Sequence, residues 1–571
     1  MKAVWSSFFL TVLIFGVLIG ASSASLSGEV IDTSDSDRVT NEVSGPLQFS
    51  TLTGIPGSDE VVDVGLDGAG DIYVLGTVTD FSGLDPRNCF LLKVNGTDFT
   101  LIYDIMFGGS DWDTALDMFV DPLGRVYITG STNSPDFPVK NALIDEYQNH
   151  TDCFIICFDT DPNTVLFSTY LGGYWVDVGE SIFVDEQGSI FVTGKTESVN
   201  FPLVNSFSNQ TGSSDIFVAK LNSTGTGLLY SSLVGEDRSQ RGTAITVDSV
   251  GNAYVAGITT SENFPLLNPV DDDAGPVATS GNEGVVFCLN ATGNGLIFST
   301  LFGGNATDIP YDIELDSQGN IWVCGDTGSI DFPLKDSFQI TSRVSNCFLF
   351  ELSSDGSVLL FSTTFGGAEG DACYSMCFDE RDNLYLAGGT QSRDFPLVRP
   401  AKSIYQYNYE YREPDAFVMK ISPQKSILYS TPVGGRSSDW ALSIAIDEHG
   451  AAIVGGYSSS DEFPQRRELS DASYDIGPSS DGFVFVLLDI SDEDGDMFPN
   501  WWETQNGFDP LDPNAPFIET LIWFAPDLLI LGVVTSLIII ILWISRHRIK
   551  SWTGRVISNL DARAEAENAA C

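Results

Sequence analysis

The sequence predicts an all-β fold: a seven-bladed β-propeller closed by an N-terminal strand, with one C-terminal transmembrane helix after it. Three observations favour this fold class. One pattern is repeated seven times between Phe49 and Ser491, each copy contains four short strand-like runs, and the run missing from the last copy is found before the first. Self-similarity at a regular period is typical of arrays and rings, so the repeat is the main evidence for the fold.

Every copy has an Asp at the end of the same apolar segment, at intervals of 54 to 68 residues. These residues are Asp67, Asp121, Asp185, Asp248, Asp316, Asp379 and Asp447. In the third copy the four runs read SIFVDE, SIFVTGKT, DIFVAKLN and GLLYSSLVG, which are strand-like in length and composition. A D-x-x-G turn joins the first two, where Gly allows a positive φ and Asp caps the turn backbone. Asp382 replaces this Gly in the sixth copy. We therefore expect the turn Asp to be structural.

Four-stranded units repeated around an axis form propeller blades. A linear solenoid is the alternative, but its terminal copies should be polar caps. Here the last copy ends after its third strand, FVFVLLDI, and a spare fourth-type strand, LQFSTLT, occupies residues 47–53. One strand missing at the end and one extra at the start predict a closed ring in which both termini complete one blade.

The termini predict export and membrane anchoring. Residues 1–24 have the basic, apolar and small-residue regions of a signal peptide, and residues 25–45 form a polar linker. The propeller is assigned to 46–491 and an acidic stalk to 492–516. Residues 521–545 contain an apolar run followed by Arg546, Arg548 and Lys550, which predicts a transmembrane helix with a cytoplasmic tail at 546–571. We expect a single-pass cell-membrane protein with an extracellular propeller.

Charge and cysteine content restrict the function further. The formal net charge is −51, which disfavours nucleic acid as a partner because binding requires Lys and Arg at the phosphates. The acidic residues either form a solvated surface or gather into cation sites.

Nine cysteines are few for an exported chain of this length. We expect buried thiols rather than a disulfide framework, with Cys373 and Cys377 as the pair to test.

The loops fall on two faces. With strands a to d counted outward from the axis, the d–a and b–c loops share one face and the tight a–b and c–d turns share the other. The b–c loops are the long ones, and they include residues 271–283 and 405–414. Long loops on a rigid scaffold often carry binding residues. Because the chain leaves the propeller on the tight-turn face, we expect the long-loop face to point away from the membrane.

A second set of acidic residues lies eight positions before each turn Asp. Its members are Asp59, Asp113, Asp177, Asp308, Asp371 and Asp439, with Gln240 in the fourth copy. At the start of the innermost strands they are predicted to surround the mouth of the central channel. Each Asp either caps the loop of its own blade or joins a carboxylate ring that binds a hard cation such as Ca²⁺.

The stalk contains a candidate calcium loop. Oxygen ligands occur at its positions 1, 3, 5, 9 and 12, with a backbone carbonyl at 7: Asp492, Asp494, Asp496, Asn500, Glu503 and Phe498. This is the ligand spacing of an EF-hand loop, although Met497 stands where that loop has Gly. A plain acidic linker is the alternative. The segment is similar to the thrombospondin type 3-like acidic segments that precede anchors in surface proteins, which implies Ca²⁺ as a ligand.

The sequence gives little support for catalysis. Its three histidines, His150, His449 and His547, lie in a loop, a tight turn and the predicted cytoplasmic tail. They do not suggest a catalytic triad or a His-rich zinc site. Two carboxylates could still act as glycosidase acid and base, but no pair is singled out. We predict no enzymatic activity and no catalytic residues.

Six N-x-T sequons are candidate glycosylation sites in an exported chain. They lie at Asn95, Asn149, Asn209, Asn222, Asn290 and Asn305. Asn95, Asn222 and Asn290 fall in predicted c–d turns, where Asn also suits the turn geometry.

The repeat G-G…V-D-x-x-G-N-x-Y-V-x-G-x-T-x-S-x-[DN]-F-P resembles the SBBP family of seven-bladed propeller repeats in surface proteins. Copy one departs from the pattern at Asp80-Phe81-Ser82, and copy four has Gly235-Glu236 in place of Gly-Gly. The resemblance implies a propeller and an extracellular setting, and no specific activity. We expect an anchored surface protein whose loop face recognises or adheres to a glycan or protein ligand. The alternatives are an extracellular carbohydrate-active enzyme and a structural envelope protein.

Overall fold

The computed structural model describes residues 46–53, 58–79, 87–148, 150–209, 212–270, 282–339, 345–401, 413–466 and 480–491. These residues all lie in one compact unit. The predicted signal peptide, linker, stalk, transmembrane helix and cytoplasmic tail lie outside the described residues. Within the described ranges, no helix is long and apolar enough to cross a membrane.

The described chain forms seven four-stranded antiparallel sheets, which are the blades. Blades 1 to 3 comprise β2 (Ser58–Leu66), β3 (Ile72–Thr79), β4 (Asn88–Val94), β5 (Leu101–Phe107); β6 (Asp113–Val120), β7 (Val126–Thr132), β8 (Asp152–Phe158), β9 (Val165–Leu171); and β10 (Asp177–Val184), β11 (Ile190–Thr196), β12 (Asp215–Leu221), β13 (Leu228–Val234). Blades 4 and 5 comprise β14 (Gln240–Val247), β15 (Ala253–Thr259), β16 (Glu283–Leu289), β17 (Leu296–Phe302); and β18 (Asp308–Leu315), β19 (Ile321–Thr327), β20 (Asn346–Leu352), β21 (Leu359–Phe365). Blades 6 and 7 comprise β22 (Asp371–Phe378), β23 (Leu384–Thr390), β24 (Asp415–Ile421), β25 (Ile427–Val433); and β26 (Asp439–Ile446), β27 (Ala452–Ser458), β28 (Asp481–Leu487), with β1 (Leu47–Leu52) as the fourth strand.

The ring closes as the sequence predicts. β1 pairs antiparallel with β28, from Leu47 opposite Leu487 to Leu52 opposite Phe483. Blade 7 therefore takes three strands from the C-terminal end of the propeller and one from its N-terminal end. The first strands of neighbouring blades pack against one another around the axis, including β2 of blade 1 against β26 of blade 7. The prediction of a seven-bladed propeller closed by an N-terminal strand is confirmed.

The turn Asp is structural in every copy. Its Oδ1 accepts the backbone N–H groups two and four residues later, as Asp185 does from Gln187 at 3.1 Å and Ser189 at 2.7 Å. The same pair of hydrogen bonds is made by Asp67, Asp121, Asp248, Asp316, Asp379 and Asp447. Asp382, which replaces Gly in the sixth copy, adopts φ 58°, the left-handed region that Asp tolerates better than most residues.

Each innermost strand carries a β-bulge that the sequence does not reveal. The residue after the bulge lies midway between the two sets of Asp: Asp63, Asp117, Ser181, Ala244, Asp312, Ser375 and Ser443. Its side chain accepts a backbone N–H from the next blade, as Asp63 Oδ2 does from Met118 at 2.9 Å. Five further junctions have this bond. The acceptor side chain and the residue that donates its N–H are Asp117 and Ile182, Ser181 and Ile245, Asp312 and Met376, Ser375 and Ile444, and Ser443 and Val64. Ala244 cannot make it, so the junction between blades 4 and 5 lacks this link.

The spaces between and within blades are filled by apolar side chains, and the cysteines belong to this core. All eight described cysteines are free thiols, seven of them buried and Cys377 half-buried. Burial raises the pKa of each of these thiols, so they remain protonated and unreactive at neutral pH. This agrees with the expectation of buried thiols, and Cys373 and Cys377 are not bonded to each other.

The b–c loop of most blades returns to the outermost strand, and we call this segment the strap. In blade 2, Lys140 and Ser168 exchange both backbone hydrogen bonds, at 2.9 Å and 2.7 Å. Equivalent bridges join Val204 to Ser231, Leu267 to Ser299, Lys335 to Ser362, Val398 to Ser430 and Arg466 to Ser50. The straps therefore cover the outer edges of blades 2 to 7.

Candidate functional site

On the long-loop face of blades 2, 3, 5 and 6, hydrogen bonds join the d–a loop to the b–c loop of the same blade. In blade 3, the N–H of Tyr174 donates to Asn200 Oδ1 at 2.9 Å and that of Trp175 donates to Ser198 Oγ at 2.8 Å. The same two bonds recur in three other blades, each from a backbone N–H to a side-chain oxygen. They join Ser110 to Asp136 and Asp111 to Ser134 in blade 2, Asn305 to Asp331 and Ala306 to Ser329 in blade 5, and Ala368 to Asp394 and Glu369 to Ser392 in blade 6. In these four blades the two loop types are therefore connected within each blade.

The six carboxylates predicted at the channel mouth are buried, each with at most 1% of its surface exposed. In blade 3, Asp177 Oδ2 accepts the N–H of Gly173 and the hydroxyl of Ser198, both at 2.7 Å. The same two bonds are made by Asp113, Asp308, Asp371 and Asp439, while Asp59 accepts the hydroxyl of Thr53. These are the contacts of the loop-capping alternative, and cation binding by the ring stays a prediction.

In the fourth copy, two departures from the repeat fall on the same loop. Glu236 replaces the second Gly, whose N–H would donate to the Asp, and Gln240 replaces that Asp. The Gln240 side chain instead donates to the carbonyl of Asp237. The copy-four loop is therefore capped differently, and the strand that follows it keeps the position of its sister strands.

Several of the capping carboxylates lie against an acid from the third strand of the preceding blade. A Cβ on Gly172 would be 2.3 Å from Asp152 Oδ1 and 2.8 Å from Asp177 Oδ2, which explains why this position is Gly. Burial, and then the charge of Asp177, raises the pKa of Asp152 to about 7. Burial and Asp439 likewise raise the pKa of Asp415 to about 8. Two buried carboxylates this close cannot both ionise at low cost.

Metal-ligating side chains do not gather elsewhere on the described surface. Within the described ranges, no group of three or more His, Cys, Asp or Glu residues is placed to hold a metal ion. The predicted calcium ligands, Asp492 to Glu503, lie outside those ranges. Of the three histidines, His150 and His449 are described, on opposite faces of the propeller.

The long-loop face exposes a group of apolar side chains on blades 2 and 3. Trp112 is 58% exposed, Tyr174 59% and Trp175 53%, and Val199 is also exposed. The ring of His150 stacks on Trp175, with centroids 5.0 Å apart and planes 15° apart. We call these five residues the aromatic patch. This patch was not predicted from the sequence, although Trp112, Tyr174 and Trp175 occur in the corresponding d–a loops of two consecutive copies.

Backbone and side-chain bonds connect the two halves of the aromatic patch. The N–H of Asn133 donates to the carbonyl of Trp112, and Thr151 Oγ1 donates to Asn133 Oδ1, both at 2.8 Å. The carbonyl of Thr151 in turn accepts the N–H of Asp177, two residues after Trp175, at 2.8 Å. Two tryptophans thus flank a polar bridge of amide and hydroxyl groups in one ordered surface.

The repeat does not require aromatic residues at these positions. The corresponding loop residues in blades 4 to 7 are Asp237-Arg238-Ser239, Asn305-Ala306-Thr307, Ala368-Glu369-Gly370 and Arg436-Ser437-Ser438. Blades 5 and 6 form the same loop hydrogen bonds with these small or polar residues. Since the fold is satisfied without them, the aromatic side chains of blades 2 and 3 need an explanation other than folding.

The sequons lie in two settings. In the c–d turns, Asn222 Oδ1 accepts the N–H of Thr226 and Asn290 Oδ1 accepts that of Asn294. Asn95 Oδ1 caps its turn similarly, through the N–H of Thr97 at 2.9 Å. Asn209 and Asn305 are exposed, and Asn149 lies outside the described residues. Glycosylation at these positions stays a prediction.

The comparisons with known proteins agree with the repeat and the fold. A family model described as SBBP, beta-propeller repeat, matches residues 111–138, 166–202, 230–265 and 297–333. No curated protein matches the chain.

Among solved structures, similar chains include a protein of unknown function from Dyadobacter fermentans, the Dos1 propeller and the phage phi92 endosialidase. Their identities are 9%, 9% and 10%, and their TM-scores are 0.38, 0.37 and 0.39. The matches cover 77%, 74% and 78% of this chain and 98%, 97% and 69% of the respective structures. Similarity at this level carries no functional information. The chain carries SBBP beta-propeller repeats on a seven-bladed propeller.

Proposed function

We propose that this chain is a membrane-anchored surface protein whose long-loop face recognises or adheres to a ligand through the aromatic patch. Exposed tryptophan and tyrosine supply large, rigid contact areas and dominate many binding surfaces. Their exposure in blades 2 and 3, at loops that fold without aromatic residues in blades 5 and 6, is the observation that carries the proposal. Single exposed apolar residues need no explanation, but several exposed aromatic residues on neighbouring loops, beside polar groups, are typical of an interaction site.

A glycan suits the patch best among the two ligand classes expected from the sequence. Flat aromatic faces pack against the C–H faces of sugar rings, and neighbouring amides, hydroxyls and carboxylates accept or donate to the sugar hydroxyls. Asn133, Thr151 and Asp111 provide such groups beside Trp112 and Trp175. A protein ligand remains the second class, to be separated by the experiment below.

Binding is proposed rather than catalysis. The patch contains a single histidine, whose ring is stacked on Trp175. The carboxylates that follow the patch residues in the sequence, Asp113, Asp152 and Asp177, are fully buried, so a substrate would not reach them.

The anchoring and calcium parts of the proposal rest on residues 492–545. A calcium loop at residues 492–503 would stiffen the stalk between propeller and membrane. Limited proteolysis of the full-length protein in membranes tests this. Cleavage within 492–516 should be slower with calcium than with chelator, and equal rates in both would contradict the calcium site.

The test of ligand binding uses full-length protein in detergent or on intact cells, in glycan-array and cell-adhesion assays. Trp112→Ala and Trp175→Ala should each weaken binding about tenfold, as expected for aromatic contact residues. Leu123→Ala and Val250→Ala, which are largely exposed on the tight-turn face, are matched controls and should have no effect. Equal losses in both pairs, or no binding to glycans or cells, would contradict the proposal.

A further inference from the structure

Among the residues that the structure describes, the outer edge of blade 1 differs from the outer edges of the other six blades. In blades 2 to 7 a strap lies on the outermost strand and exchanges backbone hydrogen bonds with a Ser at its centre. In blade 1 that strand is β5, and Asp104 occupies the position of the Ser. No described residue forms a bridge to it.

The blade 1 b–c loop is much shorter than the b–c loop of blade 2. In blade 2, β7 ends at Thr132, the strap reaches Ser168 at Lys140, and β8 begins at Asp152. In blade 1, β3 ends at Thr79 and β4 begins at Asn88. Lys140 is the eighth residue after Thr132, so a connection of only eight residues is too short to reach the strap position and return. The F-P motif that begins each strap is also absent from this loop.

The side chains of β5 are correspondingly uncovered. Ile102 is 48% exposed and Met106 53%, and Leu101 and Asp104 are also exposed. In β9, the equivalent strand of blade 2, every residue from Phe167 to Leu171 is buried. β5 thus combines an apolar, exposed surface with a strand edge to which no described residue pairs.

The backbone groups that a strap would satisfy have no hydrogen-bond partner among the described residues. In blade 2 the N–H groups of Ser168 and Tyr170 donate to the carbonyls of Lys140 and Ile144. The corresponding N–H groups in blade 1 belong to Asp104 and Met106, and no described residue accepts them. An apolar, unprotected edge of this kind is the template to which an additional strand binds.

The charge at the centre of β5 indicates what kind of strand fits. Asp104 would lie opposite the central residue of an added strand. In three of the six straps that residue is basic: Lys140, Lys335 and Arg466. The Nζ of Lys140 donates to the carbonyl of Val165 at 2.6 Å, and the equivalent carbonyl in blade 1 is that of Leu101. A Lys or Arg in an added strand would meet both this carbonyl and the Asp104 carboxylate.

Two other occupants are disfavoured by the same charge. Antiparallel pairing of two copies centred on Asp104 would place the two carboxylates opposite each other, which destabilises a strand pair. Residues 25–45 of this chain contain five acidic residues and one Arg, so they would also be repelled by Asp104.

We propose that the outer edge of blade 1, strand β5, is a docking site for an extended segment of another protein that carries a Lys or Arg between apolar residues. The segment adds to β5 as a fifth strand, in the position that a strap occupies in blades 2 to 7. The proposal does not depend on the aromatic patch, which lies on a different surface of the ring.

A peptide that copies the blade 2 strap, residues 136–144, is the probe. Its binding to the full-length protein is measured by fluorescence anisotropy. Asp104→Lys should weaken binding about tenfold, and a peptide with Glu in place of Lys140 should recover affinity for that variant, because the charge pair is restored. Glu186→Lys, the same charge change at an exposed turn of blade 3, is the matched control and should leave binding unchanged.

Two measurements separate strand addition from loose apolar contact. Methylation of the peptide N–H at the Lys140 position removes a ladder hydrogen bond and should abolish binding, since the backbone supplies much of the affinity in strand addition. In the protein alone, the amides of Asp104 and Met106 should exchange with solvent much faster than those of Ser168 and Tyr170. Unchanged binding of the methylated peptide, no peptide binding, or protection of β5 in the free protein through its own N-terminal segment or a second copy would each overturn the proposal.

Discussion

Ser443 of blade 7 and Asp63 of blade 1 join the two ends of the ring at its centre. The Ser443 hydroxyl donates to Asp63 Oδ1 at 2.5 Å, and its oxygen accepts the N–H of Val64 at 3.1 Å. Asp63 Oδ2 then accepts the N–H of Met118 in blade 2. The ring is therefore closed in two places: by β1 at the rim and by this side-chain link at the axis. The same type of bond, from a backbone N–H to the side chain that follows the β-bulge, joins most of the other neighbouring blades.

The junction between blades 4 and 5 can be strengthened by supplying its missing link. Ala244→Ser should stabilise the propeller by up to ~1 kcal/mol, the net worth of one buried hydrogen bond, because Ser181 and Ser443 fill the same position in sister blades. The new hydroxyl would accept the N–H of Ile313, which now contacts the carboxylate of Asp312. Chemical denaturation measures the change. Ala253→Ser, also buried, is the control and should destabilise; a loss of stability in both variants would contradict the role assigned to this position.

The paired carboxylates predict that stability decreases as pH rises. The folded-state pKa of Asp152 is raised to about 7 and that of Asp415 to about 8, from ordinary values near 3.8. The folded protein therefore holds protons that the unfolded chain releases between about pH 4 and pH 8, and it is stabilised in acid over this window. The melting temperature should fall from about pH 5 to about pH 8 and then level off.

Substitution of these carboxylates tests the origin of that pH dependence. Asn88 and Asn346 occupy the same strand position in blades 1 and 5, so the site accepts a neutral amide. Asp152→Asn and Asp415→Asn should raise stability at about pH 8 and make stability less dependent on pH. Each unit of pKa shift that is removed corresponds to ~1.4 kcal/mol. Asp145→Asn, at an exposed position, should leave this pH dependence unchanged. A pH dependence that persists in the double variant would show that other groups cause it.

A buried ion pair holds the end of the propeller to blade 6. Lys420 is 1% exposed, and its Nζ lies 2.9 Å from Asp489 Oδ2 and 3.8 Å from Asp379 Oδ2. Lys420→Met should cost ~3–5 kcal/mol, because both carboxylates lose their buried counter-charge. Arg436→Met, which removes an exposed pair with Glu462, should cost at most ~1 kcal/mol. The free energies of unfolding of the two variants are compared by denaturation at neutral pH. Similar losses of stability would contradict the idea that burial makes the Lys420 ion pair the stronger of the two.

The repeat made most of the fold predictable, because one blade's pattern could be checked against six others. Ring closure followed from a single unpaired strand at residues 47–53, and the turn Asp followed from the geometry of a tight turn. The central link of Asp63, Ser181 and Ser443 was not predictable, since the position varies between Asp, Ser and Ala and its function depends on a β-bulge. Bulges leave no mark in a strand's composition.

The surfaces were less predictable than the fold, for a related reason. The departures at Asp80-Phe81-Ser82 lie in the shortened b–c connection of blade 1, whereas the exposed apolar side chains lie on β5, later in the chain. The exposure of Trp112 and Trp175 also depends on which loops meet in space. In both cases the repeat identified where the pattern breaks, and the structure was needed to show which surface the break uncovers.

The last prediction concerns the rim half of the closure. Phe49 of β1 is fully buried and stacks on Phe99 of blade 1, with ring centroids 4.9 Å apart. Phe167 holds the equivalent position in β9, but β9 is continuous in the chain with the rest of its blade. Phe49→Ala and Phe167→Ala should each cost ~3–5 kcal/mol as buried aromatic truncations.

The two variants should differ in local opening, because β1 can separate from β28 without unfolding the other blades. Hydrogen exchange of the β28 amides, from Phe483 to Val486, should accelerate in Phe49→Ala more than the global loss of stability explains, while Phe167→Ala should show no such excess in β8. Equal local exchange in the two variants would mean that the ring opens and unfolds in one step, with the axial link of Ser443 and Asp63 sufficient to hold blade 7 in place.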